Sequence, residues 1–224
     1  MRKIIIIPLI LIGCLLYVPL NAQVSKNAKI PVSKEKLDEL YLSSWDKPEY
    51  RIANTASGET YLSPEEKEVF YYLNLARIDP PLFARTYASG YNGDPGWVNG
   101  YAFEQRKRSL INTLNKMEPL KPLHPDELLY QEAYCFASKG GKLGLQGHNR
   151  KKTGCSQNYN AECCQYGGAR NGLSIVMALL IDAGENNGGL EHRKICLSPE
   201  YTKMGVSIEP HKTMKFNAIL DFGH

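Results

Sequence analysis

The last part of the chain contains two segments in which apolar residues alternate with polar or small ones. Apolar residues occupy every second position from Met204 to Ile208, and again from Phe216 to Phe222. A period of two is typical of β-strands, and the polar pair His211-Lys212 between the segments indicates a turn. The two segments therefore predict an antiparallel hairpin, and the residues before it must provide the layers that cover it.

The residues before the hairpin show helical patterns instead. The first main helix is predicted to begin at Ser63, because Pro64 suits the first helical position and Glu66 completes a capping box. A second helix is predicted from Pro125 to Lys139, ended by Gly140-Gly141, and a third from Leu173 to Ala183. Shorter helices are expected after Asp79 and from Glu104 to Lys116, and residues 142–172 are expected to be irregular. Helices early in the chain and an antiparallel sheet late predict an α+β protein.

The first 22 residues resemble a secretory signal peptide. Arg2 and Lys3 precede an apolar run from Ile4 to Leu20, and Ala22 offers a small residue before a cleavage site at Gln23. A retained membrane anchor is the alternative, but no basic stop-transfer cluster follows the apolar run. The sequence around Cys14 also resembles a lipobox, although the apolar run continues past that cysteine.

These features divide the chain into a signal peptide (1–22), an N-terminal extension (23–60) and one domain (61–224). We therefore expect a secreted, periplasmic or cell-envelope protein with no membrane span after cleavage. The formal net charge is +4, and loss of Arg2 and Lys3 leaves the charges nearly balanced, which argues against nucleic acid as a partner. The short basic run Arg150-Lys151-Lys152 predicts a solvated loop.

The cysteines fit an exported protein. Six are present, and those that follow the predicted cleavage site are Cys135, Cys155, Cys163, Cys164 and Cys196. An oxidising compartment favours disulfides, and the adjacent cysteines do not have the spacing of a zinc–thiolate site. An odd number leaves at least one thiol outside the intramolecular pairs, and the sequence does not determine the pairing. The short polar segment after Cys155 favours a disulfide from Cys155 to Cys163 or Cys164.

Two of the five histidines are candidate metal ligands. His148 and His192 each lie in a polar segment that contains glycine. By contrast, His124 precedes the helix predicted from Pro125, His211 lies in the predicted turn and is expected to be solvated, and His224 is terminal. Two neutral imidazoles from separate loops are able to share one divalent cation such as zinc. A carboxylate beside them would orient an imidazole or act as a base, and Glu162 and Asp182 are the candidates.

From Glu66 to Phe222 the order of landmarks resembles the CAP superfamily, which includes cysteine-rich secretory proteins, antigen 5 and pathogenesis-related proteins. The matching landmarks, in chain order, are Asn74–Arg77, Leu120–Leu123 with Leu128, His148, Glu162, His192-Arg193, Tyr201–Val206 and Asp221-Phe222. The resemblance implies a three-layer α-β-α sandwich with a central antiparallel sheet. It also implies a cleft formed by His148, Glu162, Asp182 and His192, with a divalent metal, often zinc, held by His148 and His192. Asp182 stands where the family has a glutamate.

The resemblance favours a binding module over an enzyme. Several members bind sterols or fatty acids at apolar grooves, so we expect a lipid or protein ligand and a monomeric chain, and catalysis is not implied. The alternative is a metal-dependent hydrolase in which Glu162 is the general base. Two further alternatives are an envelope protein with a purely structural role and a thiol enzyme that uses Cys163 or Cys164 with His148.

Overall fold

The computed structural model of the protein describes residues 41–93, 100–183 and 189–224. The predicted signal peptide and residues 23–40 of the predicted extension lie outside these residues. The α-helices are α1 (Pro64–Ile78), α2 (Pro80–Phe83), α3 (Gly100–Leu114), α4 (Glu127–Leu143), α5 (Gly172–Ile181) and α6 (Glu191–Cys196). The strands are β1 (His124–Pro125), β2 (Ala161–Tyr166), β3 (Lys203–His211) and β4 (Lys215–Gly223). Short 3-10 turns cover Pro48–Ala53 and Arg150–Lys152, and a π-turn covers Ala84–Ala88.

The strands form one mixed sheet in the order β1-β3-β4-β2. β3 and β4 are the predicted hairpin, and β2 pairs antiparallel with the other side of β4. The expected antiparallel arrangement therefore holds for the three long strands, whereas the two-residue β1 pairs parallel with β3. Helices combined with this four-stranded mixed sheet agree with the predicted α+β class.

The first two helices begin where the sequence predicts. Ser63 caps α1, since its hydroxyl accepts a hydrogen bond from the Glu66 N–H at 3.3 Å and its own N–H donates to Glu66 Oε2 at 2.7 Å. Asp79 ends α1 and caps α2 by accepting from the Leu82 N–H at 3.0 Å. The other carboxylate oxygen of Glu66 accepts from the Ile208 N–H at 2.9 Å, which links the start of α1 to β3.

The boundaries of α4 differ from the prediction. Pro125 belongs to β1, and the helix starts after the cap residue Asp126, which accepts from two backbone N–H groups. The prediction that Gly140-Gly141 ends the helix is wrong, because α4 continues to Leu143 and is capped by Gly144, whose φ is 71°. Gly141 is needed for packing rather than for termination, since a Cβ there would lie 2.3 Å from a backbone carbonyl of β3.

Two hydrophobic clusters cover the two faces of the sheet. Neighbouring residues of a strand point to opposite faces, so the adjacent Cys163 and Cys164 of β2 enter different clusters. The smaller cluster lies under α4 and consists of Ala133, Phe136, Ala137, Cys164 and Ile219. The larger cluster includes Cys163 and Leu220 from the sheet together with apolar residues of α1, α3 and α5. Both faces of β2 and β4 are therefore buried.

Two elements of the second half are absent from the sequence prediction. β2 lies in the stretch that was expected to be irregular, because its polar residues Glu162 and Gln165 hide the pattern of a buried strand. His192 was expected in a loop and lies instead in the first turn of α6. The preceding helix ends earlier than predicted, at Ile181, and Asp182 follows it with a φ of 55°.

The disulfide joins α4 to the loop before β2. Cys135 pairs with Cys155, 20 residues later, so the prediction that Cys155 pairs with Cys163 or Cys164 is wrong. Cys163 and Cys164 are held by the pairing of β2 with β4 and are buried in the two clusters. Cys155 lies on the loop that returns from α4, which brings it to Cys135 and not to either residue of β2.

Candidate functional site

His148 and Glu162 form the first half of the candidate site. His148 lies in the loop that follows α4, and Glu162 is the second residue of β2. The ring Nδ1 of His148 lies 2.8 Å from Glu162 Oε1. The His148 side chain is 55% exposed and the Glu162 side chain only 3% exposed. A buried carboxylate therefore supports an imidazole that faces solvent.

Arg150 links this pair to the sheet. Its Nε donates to Glu162 Oε2 at 2.9 Å, and its Nη2 donates to Glu162 Oε2 and to both oxygens of Asp221, at 2.7 and 2.8 Å for the latter. Glu162 and Asp221 are directly opposite each other on β2 and β4. One guanidinium thus holds two carboxylates that the register of the sheet brings together.

The rest of the Arg150 side chain is enclosed as well. Its guanidinium carbon lies 4.9 Å from the Phe136 ring centroid and 4.4 Å from that of Tyr159, so the cation is sandwiched between two aromatic rings. Its Nη1 donates to the backbone carbonyls of Glu132 and Ser156, each at 3.1 Å. The sequence expectation that Arg150 is solvated is wrong, since only 2% of the residue is exposed.

The two carboxylates that Arg150 holds have opposite pKa shifts. Burial would raise the pKa of Glu162, but hydrogen bonds from His148 and Arg150 hold it below its ordinary value. Burial raises the pKa of Asp221 to about 8, and the neighbouring Glu162 carboxylate adds to this although Arg150 opposes it. One cation beside two buried acids thus keeps Glu162 ionised more readily than Asp221.

His192 and Asp182 form the second half of the site. Asp182 follows α5 in a left-handed conformation, and its Oδ1 lies 2.9 Å from His192 Nδ1 while its Oδ2 accepts from the His192 N–H at 3.1 Å. The His192 side chain is 16% exposed and that of Asp182 is 1% exposed. Both oxygens of one carboxylate therefore fix the backbone and the ring of the same histidine.

The two halves meet at their imidazoles. The ring centroids of His148 and His192 lie 6.5 Å apart, with an angle of 44° between the ring planes. Each Nδ1 is within hydrogen-bond distance of a buried carboxylate, which favours the tautomer with the proton on Nδ1. In that tautomer Nε2 carries the lone pair, so Nε2 is the atom with which either ring would bind a cation.

Cys164 completes a candidate metal-binding group with the first half of the site. Its Sγ lies 3.5 Å from His148 Nδ1. One ligand atom from each of His148, Glu162 and Cys164 lies within 4.8 Å of the others. Burial, with the nearby charge of Glu162, raises the pKa of the Cys164 thiol well above its ordinary value. The thiol is therefore neutral in the metal-free protein, and a cation there would first have to displace its proton.

The structure brings together all four residues that the sequence and the family resemblance selected. His148, Glu162, Asp182 and His192 are joined as two hydrogen-bonded pairs whose imidazole rings are neighbours, with centroids 6.5 Å apart. Sequence reasoning assigned no role at the site to Arg150 or Asp221, and the pairing of β2 with β4 brings Asp221 beside Glu162. Cys164 was named in the sequence only as a nucleophile of the thiol-enzyme alternative.

His211 differs from the expectation of a solvated turn residue. It is buried at the end of β3, and its Nε2 lies 2.8 Å from the Leu145 carbonyl oxygen. Its Nδ1 accepts hydrogen bonds from the N–H groups of Thr213 and Met214, so His211 stabilises the hairpin turn.

Comparisons with protein-family models, with curated proteins and with solved structures give no match to this chain. A proposal for the function therefore depends on the geometry of the site and on the order of the landmarks along the sequence.

Proposed function

We propose that this chain is an exported CAP-type binding module whose cleft holds a divalent cation, preferably zinc, between His148 and His192. The collinear landmarks of the sequence and the burial of both faces of the sheet support the three-layer α-β-α sandwich of that superfamily. Asp182 contacts His192 directly, which supports its role in place of the family's glutamate.

The observation that carries the proposal is the pair of neighbouring imidazoles, each backed by a buried carboxylate. Histidines that bind zinc typically donate the other ring N–H to a carboxylate, which fixes the tautomer and raises the basicity of the ligand nitrogen. His148 with Glu162 and His192 with Asp182 both have this arrangement. The ring centroids of the two pairs are 6.5 Å apart.

The ring separation is compatible with one shared ion. Zinc–nitrogen bonds of about 2.0–2.1 Å place the centroids of two ligated imidazoles roughly 5–6 Å apart. The observed 6.5 Å would close with a small rotation of the His148 side chain, which is 55% exposed. Water or a ligand group would fill the remaining coordination positions.

Zinc bound by His148, Glu162 and Cys164 is the competing ligand set. Their ligand atoms are close together, but Glu162 Oε2 accepts from Arg150 and its Oε1 pairs with His148. A cation there would not be bound by His192, the histidine that Asp182 orients, and it would lie close to the buried guanidinium of Arg150. Electrostatic repulsion from Arg150 therefore favours the site between the two histidines.

The hydrolase alternative depends on Glu162 as a general base. Its oxygens are occupied by Arg150 and His148, and a pKa below the ordinary range makes the carboxylate a weak proton acceptor. Orientation of His148 is the role that these contacts favour. The hypothesis of a binding module therefore has more support than the hypothesis of a hydrolase.

The cellular location and the ligand are parts of the proposal as well. The Cys135–Cys155 disulfide is typical of proteins that fold in an oxidising compartment, which supports export. Of the residues that the structure describes, none forms a helix that is both long and apolar enough to cross a bilayer. The lipid or protein ligand implied by the family resemblance remains a prediction.

The test is a calorimetric titration of the metal-free protein with zinc, combined with anomalous scattering from crystals of the zinc complex. We expect one ion bound between His148 and His192. His192→Ala should abolish binding, whereas His124→Ala, at an exposed position away from the site, should bind as the wild type does. Cys164→Ala should also retain binding. Zinc that depends on Cys164 but not on His192 would contradict the proposed ligand set.

A further inference from the structure

Two cysteine thiols meet in the interior behind the candidate site. Cys163 of β2 and Cys196 of α6 are both free thiols, and each is at most 1% exposed. The Cys163 Sγ lies 3.9 Å from the His192 carbonyl oxygen. An α-helical carbonyl accepts from the N–H four residues later, so this contact puts the sulfur beside the backbone of Cys196. Both side chains belong to the larger hydrophobic cluster, so the two sulfurs lie in the same part of the core.

The other cysteines of the described residues do not compete for this pairing. Cys135 and Cys155 are already bonded to each other on the α4 side of the sheet. Cys164 points into the smaller cluster, so the sheet itself separates its sulfur from Cys163 and Cys196. Cys163 and Cys196 share the larger cluster and are the only two thiols of the described residues in it.

We propose that Cys163 and Cys196 form a second disulfide, which joins β2 to α6, when the chain folds under oxidising conditions. The oxidant is a disulfide, either oxidised glutathione or a thiol oxidoreductase. The Cys163 thiolate attacks the oxidant's disulfide, which releases one thiolate and forms a mixed disulfide. The Cys196 thiolate then attacks the Cys163 sulfur, so that the protein disulfide forms and the second thiolate leaves. The protein loses two electrons and two protons, and both are recovered in the two thiols of the reduced oxidant.

The reaction belongs to folding rather than to the native state. Both residues are at most 1% exposed, so the disulfide of an oxidant would not reach either sulfur once the core is packed. The same burial would protect the finished disulfide from soluble reductants. The pair is thus oxidised while β2 and α6 approach each other, and it is then retained.

The cross-link would connect the two halves of the candidate site. Glu162, which supports His148, immediately precedes Cys163, and His192 lies one helical turn before Cys196. A covalent bond between Cys163 and Cys196 therefore fixes the distance between the two histidine–carboxylate pairs. This consequence rests on the proposed function, whereas the disulfide itself does not.

The experiment is disulfide mapping of the full chain after refolding in a glutathione redox buffer. Free thiols are alkylated under denaturing conditions, and the chain is then cleaved after acidic and basic residues. Cleavage after Glu162 and Arg170 separates Cys163-Cys164 from Cys155, and cleavage after Lys194 and Glu200 isolates Cys196. We expect the peptide 163–170 cross-linked to the peptide 195–200, with fragment ions that assign the bond to Cys163.

Two matched variants each replace one of the adjacent cysteines, Cys163 or Cys164, with serine. Cys163→Ser should lose the cross-link, whereas Cys164→Ser should retain it. Alkylation of both Cys163 and Cys196 in the refolded wild-type chain would overturn the proposal without need of any variant, and so would a Cys164–Cys196 bond.

Zinc titration separates the second disulfide from the metal proposal. Oxidised wild-type protein should bind zinc about tenfold more tightly than Cys196→Ser, which is the scale of effects from groups behind metal ligands. Equal affinities would overturn the connection to the site but leave a mapped disulfide intact. Failure of every form to bind zinc would reject the proposed function alone.

Discussion

Asp182 binds His192 through both of its carboxylate oxygens, one to the ring Nδ1 at 2.9 Å and the other to the backbone N–H at 3.1 Å. The residue has a φ of 55°, a left-handed conformation that aspartate and asparagine adopt more easily than most other side chains. The end of α5 and the start of α6 are therefore oriented by one side chain, and His192 has a fixed direction before any ligand arrives.

Asp182→Asn should weaken zinc binding about 10–100-fold, the range found for groups that orient metal ligands. Asparagine keeps the left-handed backbone but replaces the charged acceptor that favours the Nδ1–H tautomer of His192. Calorimetric titration with zinc measures the effect. Glu191→Gln is the matched control, because Glu191 is exposed and pairs with Lys194 rather than with the histidine. An Asp182→Asn protein with wild-type affinity would show that this contact has no part in metal binding.

Arg150→Leu should lower the free energy of unfolding by about 3–5 kcal/mol, because it leaves the buried Glu162 carboxylate without its cation. Urea unfolding at neutral pH measures this loss. Lys151→Leu, at the exposed neighbouring position, is the control and should change the free energy of unfolding by less than about 0.5 kcal/mol.

Neutral replacements of the two acids should rescue the Arg150→Leu protein. When Glu162→Gln and Asp221→Asn are added, amides replace the uncompensated Glu162 carboxylate and the Asp221 carboxyl group, and most of the lost stability should return. A triple variant that stays as unstable as Arg150→Leu would mean that the packing of Arg150 between its aromatic rings, and not its charge, dominates.

Asp221→Asn should flatten the pH dependence of stability. The pKa of Asp221 is raised from 3.8 to about 8 in the folded protein, so the unfolded chain ionises first as pH rises. The contribution of Asp221 is therefore complete below pH 3.8 and is lost as pH rises towards 8. Glu162 has the opposite sign, since its lowered pKa makes its contribution disappear as pH falls. Unfolding curves across this range should show a smaller decline in Asp221→Asn, and an identical slope would contradict the shift.

Gly205→Ala should destabilise the protein by about 1–3 kcal/mol or more, as overpacked cores do. A Cβ on Gly205 would lie 2.1 Å from the Tyr130 backbone nitrogen, so α4 would have to move away from β3. Gly58→Ala is the control, because nothing lies within 4 Å of its added Cβ. Thermal unfolding of both variants makes the comparison, and equal melting temperatures would argue against close contact of helix and hairpin.

Local patterns account for what the sequence predicted correctly. The cap at Ser63 and the hairpin each depend on residues a few positions apart, and the corresponding contacts are present. The family resemblance selected His148, Glu162, Asp182 and His192 through their order along the chain, which the spacing alone did not require.

The errors share a different cause, because each depends on contacts between distant segments. The sequence predicts a solvated Arg150, because Glu162 and Asp221 lie beside it only in the folded chain. Cys155 pairs with Cys135 because the loop that follows α4 runs back to that helix. No periodicity encodes such partners, so composition and spacing could not have identified them.

The pairing of Glu162 with Asp221 also determines when the site is able to form. Arg150 bonds a carboxylate 71 residues further along the chain, on the last strand of the sheet. Contacts of such sequence separation form after local helices, because a long loop must close first. During synthesis the histidine loop would therefore exist before the strand that holds its arginine in place. Cation binding would begin only with the final folding step, and a zinc-sensitive probe of refolding should report native hairpin formation rather than early collapse.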